Sequence, residues 1–536
     1  MSARLRSVPF SPVDAAWLHM ETPTNTAMIT GIFTLQDPLD FTKLKQTVAE
    51  RYLIYDRFRM RVKERRLGIG IPRWELDPHF SIDSHVHRIA LPAPGGQEQL
   101  HDLVGDLMST PLDFARPLWQ IHLVENYGDG CAVITRLHHC IGDGLALVQF
   151  MLSVMDSDDR SSSAPPRARA RPSGIMALAP VLQRIEKSID LGEAILGRGL
   201  ETIAEPGRML DAAALGISGT RSLGKLVLTP PDKKTLFRGE CGVRKRAAWT
   251  KPFSLAEVKE TGKALGGTIN DVLITCLAGA LGRYLVGRKE DTRGLDIRAM
   301  VPVNLRKPKG EIELGNRFGL VILALPVGIR DPIERLQVLK RRMDDIKSTP
   351  EAYVAFGLLA GMGLTPAQIE KLIMRFFASK VSGVMTNVPG PREPLRFCGS
   401  RIEEIMFWVP TPGNLSFGTS IISYAGRVTV GVATDQKIAP DPEAIVQDFM
   451  LEFAAMRRRA RVKPSEPSRP KVKAGQVAVQ RLRSNGRERI AVQARVCSGV
   501  TRTGAPCHYQ ALPGSPFCAR HARQLQINKP EPIAGE

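Results

Sequence analysis

Thr135-Arg136-Leu137-His138-His139-Cys140-Ile141-Gly142-Asp143-Gly144 is the stretch on which the reading of this chain turns. Residues 131–137 are rich in β-branched and apolar side chains and follow a Gly128-Asp129-Gly130 turn, which predicts a strand on the return arm of a hairpin. Beyond it, Leu145, Val148, Met151, Leu152 and Met155 recur at helical spacing. The two histidines are therefore expected where a strand ends, with Gly142 and Gly144 bending the chain into a helix. A histidine placed there is rigidly held and reachable, and its ordinary pKa of about 6.5 suits proton transfer near neutrality. The same pattern also fits two packing histidines followed by an Asp-Gly turn and helix cap, so the neighbouring segments have to decide.

Upstream, Arg116-Pro117-Leu118-Trp119 opens a strand through residue 124 that pairs with the histidine strand. Residues 97–108 and 40–54 read as helices, the latter amphipathic with Leu44, Val48, Tyr52 and Leu53 on one side. Residues 28–35, 57–62 and 72–76 read as strands. Ser11-Pro12-Val13-Asp14 is a helix start, with serine as cap and proline at the first position. Gly68 and Gly70 lack a third glycine and a following helix, so they are no nucleotide loop. His79, His85 and His87 lie in a polar stretch and are expected on a solvated loop and strand rather than around a metal. Residues 1–155 thus form a first mixed α/β domain.

Downstream, residues 156–222 read as an exposed linker, with Pro165-Pro166 and alternating Arg and Ala, followed by crossover helices. A second domain covers 223–456. In it Gly266-Gly267-Thr268-Ile269-Asn270-Asp271 leads into an apolar helix, 297–303 and 319–327 are strands, and 384–388 is a strand closed by Pro389-Gly390-Pro391. Residues 331–348 and 443–458 are helices, and 415–424 with 428–434 form a hairpin. Hydrophobic content of 43% and charged content of 24% are those of an ordinary globular chain. The apolar runs 272–281 and 319–329 are too short to cross a membrane, and no apolar core follows Arg4 and Arg6, so neither a spanning segment nor a signal peptide is expected. Of the net charge of +20, residues 457–536 carry about +13, from 17 Lys/Arg against 4 Asp/Glu. Cys131, Cys140, Cys241, Cys276 and Cys398 show no pairing pattern and read as buried thiols of a reducing compartment.

Four short motifs recur together: His138-His139-x-x-x-Asp143-Gly144, Pro117-Leu118-Trp119 before it, Asn270-Asp271 at a helix start, and Asn387-Val388-Pro389-Gly390-Pro391. In this order and at these distances the chain resembles the bacterial wax ester synthase/acyl-CoA:diacylglycerol acyltransferase family, within the CoA-dependent acyltransferase superfamily, over residues 8–456. The resemblance implies an α/β (α+β) fold of two chloramphenicol-acetyltransferase-like mixed-sheet domains with the active-site channel between them. It implies that His139 is the general base and His138 a positioning residue. It implies that Asp143 is structural, paired with an arginine that the sequence does not identify, and that Gly144 serves loop geometry. Asn270 is a candidate oxyanion donor or site-shaping residue, although capping the helix explains it equally well. Pro117, Leu118, Trp119, Asp271, Thr386, Asn387, Pro389 and Gly390 are expected to line the substrate site, Pro117 to Trp119 as a channel wall. Thr386 stands where many relatives have serine. The implied partners are acyl-CoA and diacylglycerol or a long-chain alcohol, and no cofactor is needed for catalysis. The thioester donor needs no activation through an acyl-enzyme, and no Gly-x-Ser-x-Gly elbow is present to form one.

The tail departs from that pattern. Residues 457–495 read as a flexible basic tether. Within 496–524, Cys497, Cys507, Cys518 and His521 make a Cys3His set suited to structural zinc, and 525–536 is a short end piece. The basic tail suits an anionic membrane surface or lipid inclusion; with only Tyr509 and Phe517 as aromatics, it argues against nucleic acid. The expected location is cytoplasmic, peripheral to membrane or inclusion. Two other readings stay open: a condensation-type enzyme acting on carrier-bound thioesters, and a non-catalytic binding protein working through its tail.

Overall fold

The hairpin around Gly128-Asp129-Gly130 forms, and in the computed structural model its return strand runs through the middle of a sheet. The structure describes residues 7–64, 71–156, 224, 228–306, 314–347, 351–363, 365 and 367–461. The crossover helices expected within 156–222 and residues 462–536, with the cysteines of the tail, lie outside the described residues, which all belong to one compact unit, Met1–Pro464; residues 457–461, expected in the tether, continue the last helix instead.

The first half contains β1 (Ser7–Pro9), α1 (Pro12–His19), β2 (Met28–Leu35), α2 (Phe41–Tyr52), β3 (Met60–Lys63), β4 (Arg73–Leu76), β5 (Val86–Ala90), α3 (Gln97–Ser109), β6 (Trp119–Tyr127), β7 (Gly130–His138) and α4 (Gly144–Val154). The cap read from the sequence is in place, Ser11 Oγ accepting from the Asp14 amide at 3.1 Å; Asp40, read as the first residue of its helix, caps α2 through the Lys43 amide at 2.7 Å. One strand begins later than its composition suggests. Asp56–Arg59 form a 3-10 turn that sends Phe58 into the core against Tyr52, Trp119 and Phe150, and pairing starts at Met60. His85, expected on a solvated segment, is buried and its Nδ1 lies 2.8 Å from the Trp119 carbonyl; burial holds its pKa below the ordinary histidine value.

The second half contains β8 (Lys245–Trp249), β9 (Phe253–Ser254), α5 (Leu255–Leu265), α6 (Ile269–Gly287), β10 (Ile297–Asn304), β11 (Phe318–Leu325), α7 (Pro332–Lys347), α8 (Glu351–Met362), α9 (Ala367–Ala378), β12 (Gly383–Pro389), β13 (Arg396–Phe397), β14 (Ser400–Trp408), β15 (Phe417–Tyr424), β16 (Arg427–Asp435) and α10 (Pro442–Arg461). By length and composition α6 could cross a membrane, which the shorter apolar run in the sequence did not suggest; 78% of the qualifying stretch is buried in the protein, so it serves as the central core helix of this half.

Three sheets result. A small one has the order β1-β4-β3; a seven-stranded one has the order β11-β10-β12-β15-β16-β8 with β9 beside β16; a six-stranded one has the order β13-β14-β2-β7-β6-β5. The last sheet is shared between the halves. β14, from late in the chain, pairs antiparallel with β2 from Ile402 opposite Leu35 to Trp408 opposite Thr30. β2 in turn pairs with β7, Met28 opposite His138. Gly130 is required at the head of β7, because a Cβ there would lie 2.1 Å from the Leu35 carbonyl oxygen. Eight of the nine β7 residues are buried, as a central strand covered on both faces must be. Cys131, Val133 and Leu137 face the first core with Leu147 and Phe150 of α4; Ala132 and Ile134 face a second one with Leu100 and Val104 of α3. That second cluster also contains Trp249, Met300, Val384 and Ala433, so it welds the two halves together.

Candidate active site

β7 ends where its ladder gives way to other partners. The His138 amide donates to the Leu118 carbonyl at 3.0 Å, and the His139 amide donates to the Ala27 carbonyl at 2.7 Å. The His138 ring is fully buried. Its Nδ1 accepts from the Cys140 amide at 3.1 Å, and its Nε2 lies 3.0 Å from Glu21 Oε2, which also accepts from the Ala27 amide at 3.1 Å. Nδ1 is thus committed to the shape of the turn, whereas Nε2 lies near Glu21 without a well-directed hydrogen bond among the described residues.

The His139 ring takes a different environment. Trp17 of α1 stacks on it with centroids 3.8 Å apart at 19°, and Phe318 of β11 lies 5.6 Å away. Burial pushes its pKa down to about 4, against the opposing pull of the Asp143 charge, so the imidazole is neutral at pH 7. Its Nδ1 has no well-directed hydrogen bond among the described residues. The backbone is pinned: Asn316 Nδ2 donates to the His139 carbonyl at 2.8 Å and to Asp14 Oδ1 at 2.8 Å, and the Asn316 amide donates to the same carboxylate oxygen at 3.0 Å. Asp14 Oδ2 lies 3.7 Å from Arg57 Nη1, whose guanidinium sits 4.2 Å over the Trp74 ring. A buried carboxylate is thereby supplied with donors, and burial still raises its pKa.

Asp143 points away from His139. Its Oδ1 accepts from the Ala146 amide at 2.9 Å and caps α4; its Oδ2 accepts from the Arg317 amide at 2.9 Å and from Arg306 Nη2 at 2.8 Å. Arg306 also donates to the Gly315 carbonyl, to which the Asp143 amide donates at 3.2 Å. Gly315 has φ +116°, a region that L side chains rarely adopt, and this turns its carbonyl toward both donors. The His-Asp loop is therefore clamped by the segment between β10 and β11, and the arginine opposite Asp143 is Arg306. Gly144 has no atom within 4 Å of where a Cβ would stand, so space rather than backbone geometry distinguishes it. Burial pushes the Cys140 thiol well above its usual pKa, leaving it no thiolate at neutral pH.

The other sequence-selected residues divide. Thr268, not Asn270, caps α6: its side chain accepts from the Asp271 amide at 3.2 Å while Asp271 Oδ2 accepts from the Thr268 amide at 2.8 Å. Asn270 is left for a different bond, its Oδ1 accepting from Asn387 Nδ2 at 2.8 Å, so two of the four motifs meet. Among the described residues no hydrogen bond links that pair to either histidine. Thr386 is buried in β12 opposite Ser420, Pro389 is exposed, and Gly390 donates to the Ser423 carbonyl at 3.0 Å where a Cβ would collide. Leu118 and Trp119 were expected as a channel wall. The structure corrects this: both are fully buried in the first core, and Trp119 Nε1 donates to the Phe58 carbonyl at 2.8 Å. A small cleft is lined by Met28 and Thr30 of β2, Met108 of α3, Val409, and Ala433 and Thr434 of β16; neither histidine, nor Asn270 or Asn387, lines it. Cys497, Cys507, Cys518 and His521 lie outside the described residues, among which no group of three or more His, Cys, Asp or Glu is placed to hold a metal.

Sequence reading did not single out Trp17, Glu21, Arg306, Gly315, Asn316 or Phe318. A weak signal existed, since Arg306 follows the end of β10 and Gly315-Asn316-Arg317 precedes the apolar β11.

Comparison with known proteins accounts for this geometry. The model of the wax ester synthase/diacylglycerol acyltransferase catalytic domain matches residues 10–273, and that of the WS/DGAT C-terminal domain matches residues 314–457. A probable diacylglycerol O-acyltransferase of Mycobacterium tuberculosis is 28% identical over 424 residues, 78% of this chain and 88% of its own. A second from the same organism is 29% identical over 448 residues, 80% and 94% respectively. The solved wax ester synthase/diacylglycerol acyltransferase from Marinobacter aquaeolei VT8 superposes with a TM-score of 0.60 at 20% identity, over 85% of this chain and all of that one. The first condensation domain of the CDA synthetase superposes with a TM-score of 0.51 at 15% identity, over 86% and 98%, a likeness of fold. With both halves matched by models of one family, and the His-His-x-x-x-Asp-Gly loop built between them, the chain belongs to the wax ester synthase/diacylglycerol acyltransferase family of acyltransferases.

Proposed function

We propose that this enzyme transfers a long-chain acyl group from acyl-CoA to the hydroxyl of diacylglycerol or of a long-chain alcohol, with His139 as the general base. The observation that carries the reading is a neutral, rigidly held imidazole at a strand end, beside a loop that offers no ionised nucleophile. The imidazole takes the hydroxyl proton as the oxygen attacks the thioester carbonyl, a contribution of ~10²–10⁴ in rate. The oxyanion then collapses, the C–S bond breaks, and the imidazolium returns the proton to the departing CoA thiolate. Asp143 keeps the loop in register through Arg306, and His138 holds the turn. Asn270 and Asn387 shape the acceptor side of the site, and the space beside Gly144 admits the reacting groups.

His139→Ala is expected to lower CoA release by about 10²–10⁴ while the thermal melt stays near that of the parent. Retained turnover would remove His139 from the mechanism. Diacylglycerol and hexadecanol assayed side by side identify the acceptor. The fold shared with condensation domains makes one further arm worthwhile: acyl transfer from a carrier-bound thioester faster than from acyl-CoA would favour that class.

The tail completes the reading. Residues 457–536 bring the enzyme to an anionic membrane or lipid inclusion by charge, and Cys497, Cys507, Cys518 and His521 hold a structural zinc ion.

A further inference from the structure

α9 presents a face that nothing in the chemistry above uses. Ile369, Leu372 and Phe376, three and four residues apart, are 50%, 70% and 45% exposed, and therefore form one outward stripe. Lys371 and Arg375 are exposed along one shoulder of that stripe. On the opposite side of the helix Glu370 and Met374 are buried, and Met374 joins the first core. The only acid of α9 is thus inside, and the outer surface is apolar and cationic. The Lys380 ammonium just beyond the helix sits 4.2 Å over the Phe376 ring.

We propose that α9 is an interfacial helix that lays its Ile369–Leu372–Phe376 stripe into a lipid surface, with Lys371 and Arg375 at the level of anionic headgroups. This choice of occupant rests on the acyltransferase reading, in which the acceptor is dissolved in lipid. The charge pattern supports it independently, since a large apolar stripe with a basic shoulder and no exposed acid suits anionic lipid. The connection to the site supports it too. Glu370 Oε2 lies 3.0 Å from His19 Nδ1 of α1, and two residues earlier on α1 Trp17 stacks on His139. α9 therefore stands between that lipid surface and the helix that holds the catalytic ring.

The test uses the full-length chain and phosphatidylcholine vesicles with and without phosphatidylglycerol. L372E/F376E is expected to bind both kinds at least about tenfold more weakly than the parent, because two apolar side chains no longer leave water. K371E/R375E is expected to lose affinity for the phosphatidylglycerol vesicles and to keep that for phosphatidylcholine. At about 1 M salt, where the screening length falls to ~3 Å, charge-driven binding through the tail is suppressed, and the difference between L372E/F376E and the parent should persist. All four positions are on the surface, so melting temperatures and turnover of a detergent-solubilised acceptor should match the parent. Equal vesicle binding by L372E/F376E and the parent overturns the proposal. So does a parent dimer that L372E/F376E dissociates, which would make a second copy the occupant. A parent that forms no ester but loses vesicle binding in L372E/F376E would overturn the acyltransferase reading and leave the docking helix standing.

Discussion

His139 shows how much of a histidine's behaviour is environment. A free imidazole would be partly protonated at pH 6.5; burial between Trp17 and Phe318 lowers this one to about 4. The acid limb of kcat/KM should therefore fall near pH 4, read from a pH–rate profile, and a limb near 6.5 would mean the ring is hydrated in the free enzyme. Stability follows with a definite sign. Between pH 6.5 and about 4 the unfolded chain binds a proton at this position and the folded one does not, so the contribution of His139 is present above 6.5 and is lost as pH falls through that window. Replacing His139 with Gln should flatten that part of a stability-versus-pH curve. Asp143→Ala makes the contrasting case. It uncaps α4 and leaves Arg306 without its carboxylate, so unfolding should come about 3–5 kcal/mol easier in denaturant titrations, with the rate falling as well. A rate defect without loss of stability would give Asp143 a direct part in the chemistry. His138, His139 and Asp143 stand together in the sequence and could be read there. Asn316 could not, because it reaches Asp14 across 302 residues and the His139 carbonyl across 177.

At the scale of elements, strong periodicity located α2, α3, α6, β2, β7 and the β15–β16 hairpin to within a few residues. β8, β14, α8 and α9 were not read, and the first three have a local reason. β14 carries Glu403 and Glu404 at a register shift that breaks its alternation; β8 is two basic residues, two alanines and a tryptophan; α8 is a low-contrast run of small and apolar residues. The start of α6 yields a prediction that separates cap from site. Thr268→Ala should cost about 1 kcal/mol of stability in thermal or denaturant melts and leave kcat alone, because it removes only the capping box. Asn270→Ala keeps that box and frees Asn387, so it should lower the rate with little change in melting. The opposite pairing of effects would return Asn270 to a purely structural role.

For the whole molecule, the decisive feature is that β14 leaves the second half to pair with β2 of the first. The shared strand ties the site loop of one half to the clamp from the other, so Arg306, Asn316 and Phe318 meet the histidines without a hinge between separate sheets. α10 closes the second half, and its last turns are bonded inward: Arg457 to Glu257 at 2.7 Å and Arg459 to Asp331 at 2.9 Å. Truncation for a tail experiment therefore belongs after residue 461. The shortened enzyme should keep its turnover of a detergent-solubilised acceptor, while its binding to anionic vesicles should weaken, most at low salt where the net charge of the removed residues 462–536, 13 Lys/Arg against 4 Asp/Glu or +9, is least screened. Equal vesicle binding with and without the tail would assign recruitment to the folded part alone.

The sequence by itself determined the strand–His-His–loop–helix order, the mixed α/β class, the family likeness and the concentration of basic charge in the tail. These are local or compositional properties, carried by side-chain period, caps and short motifs that survive without neighbours. Only the tertiary structure decided that Asp143 faces Arg306, that Trp119 is packed in the first core, that Asn270 bonds Asn387 instead of capping α6, and that Trp17 covers the His139 ring. Each of these depends on residues 61 to 163 positions apart being brought within hydrogen-bond or van der Waals distance by the fold, and burial then sets which groups are charged.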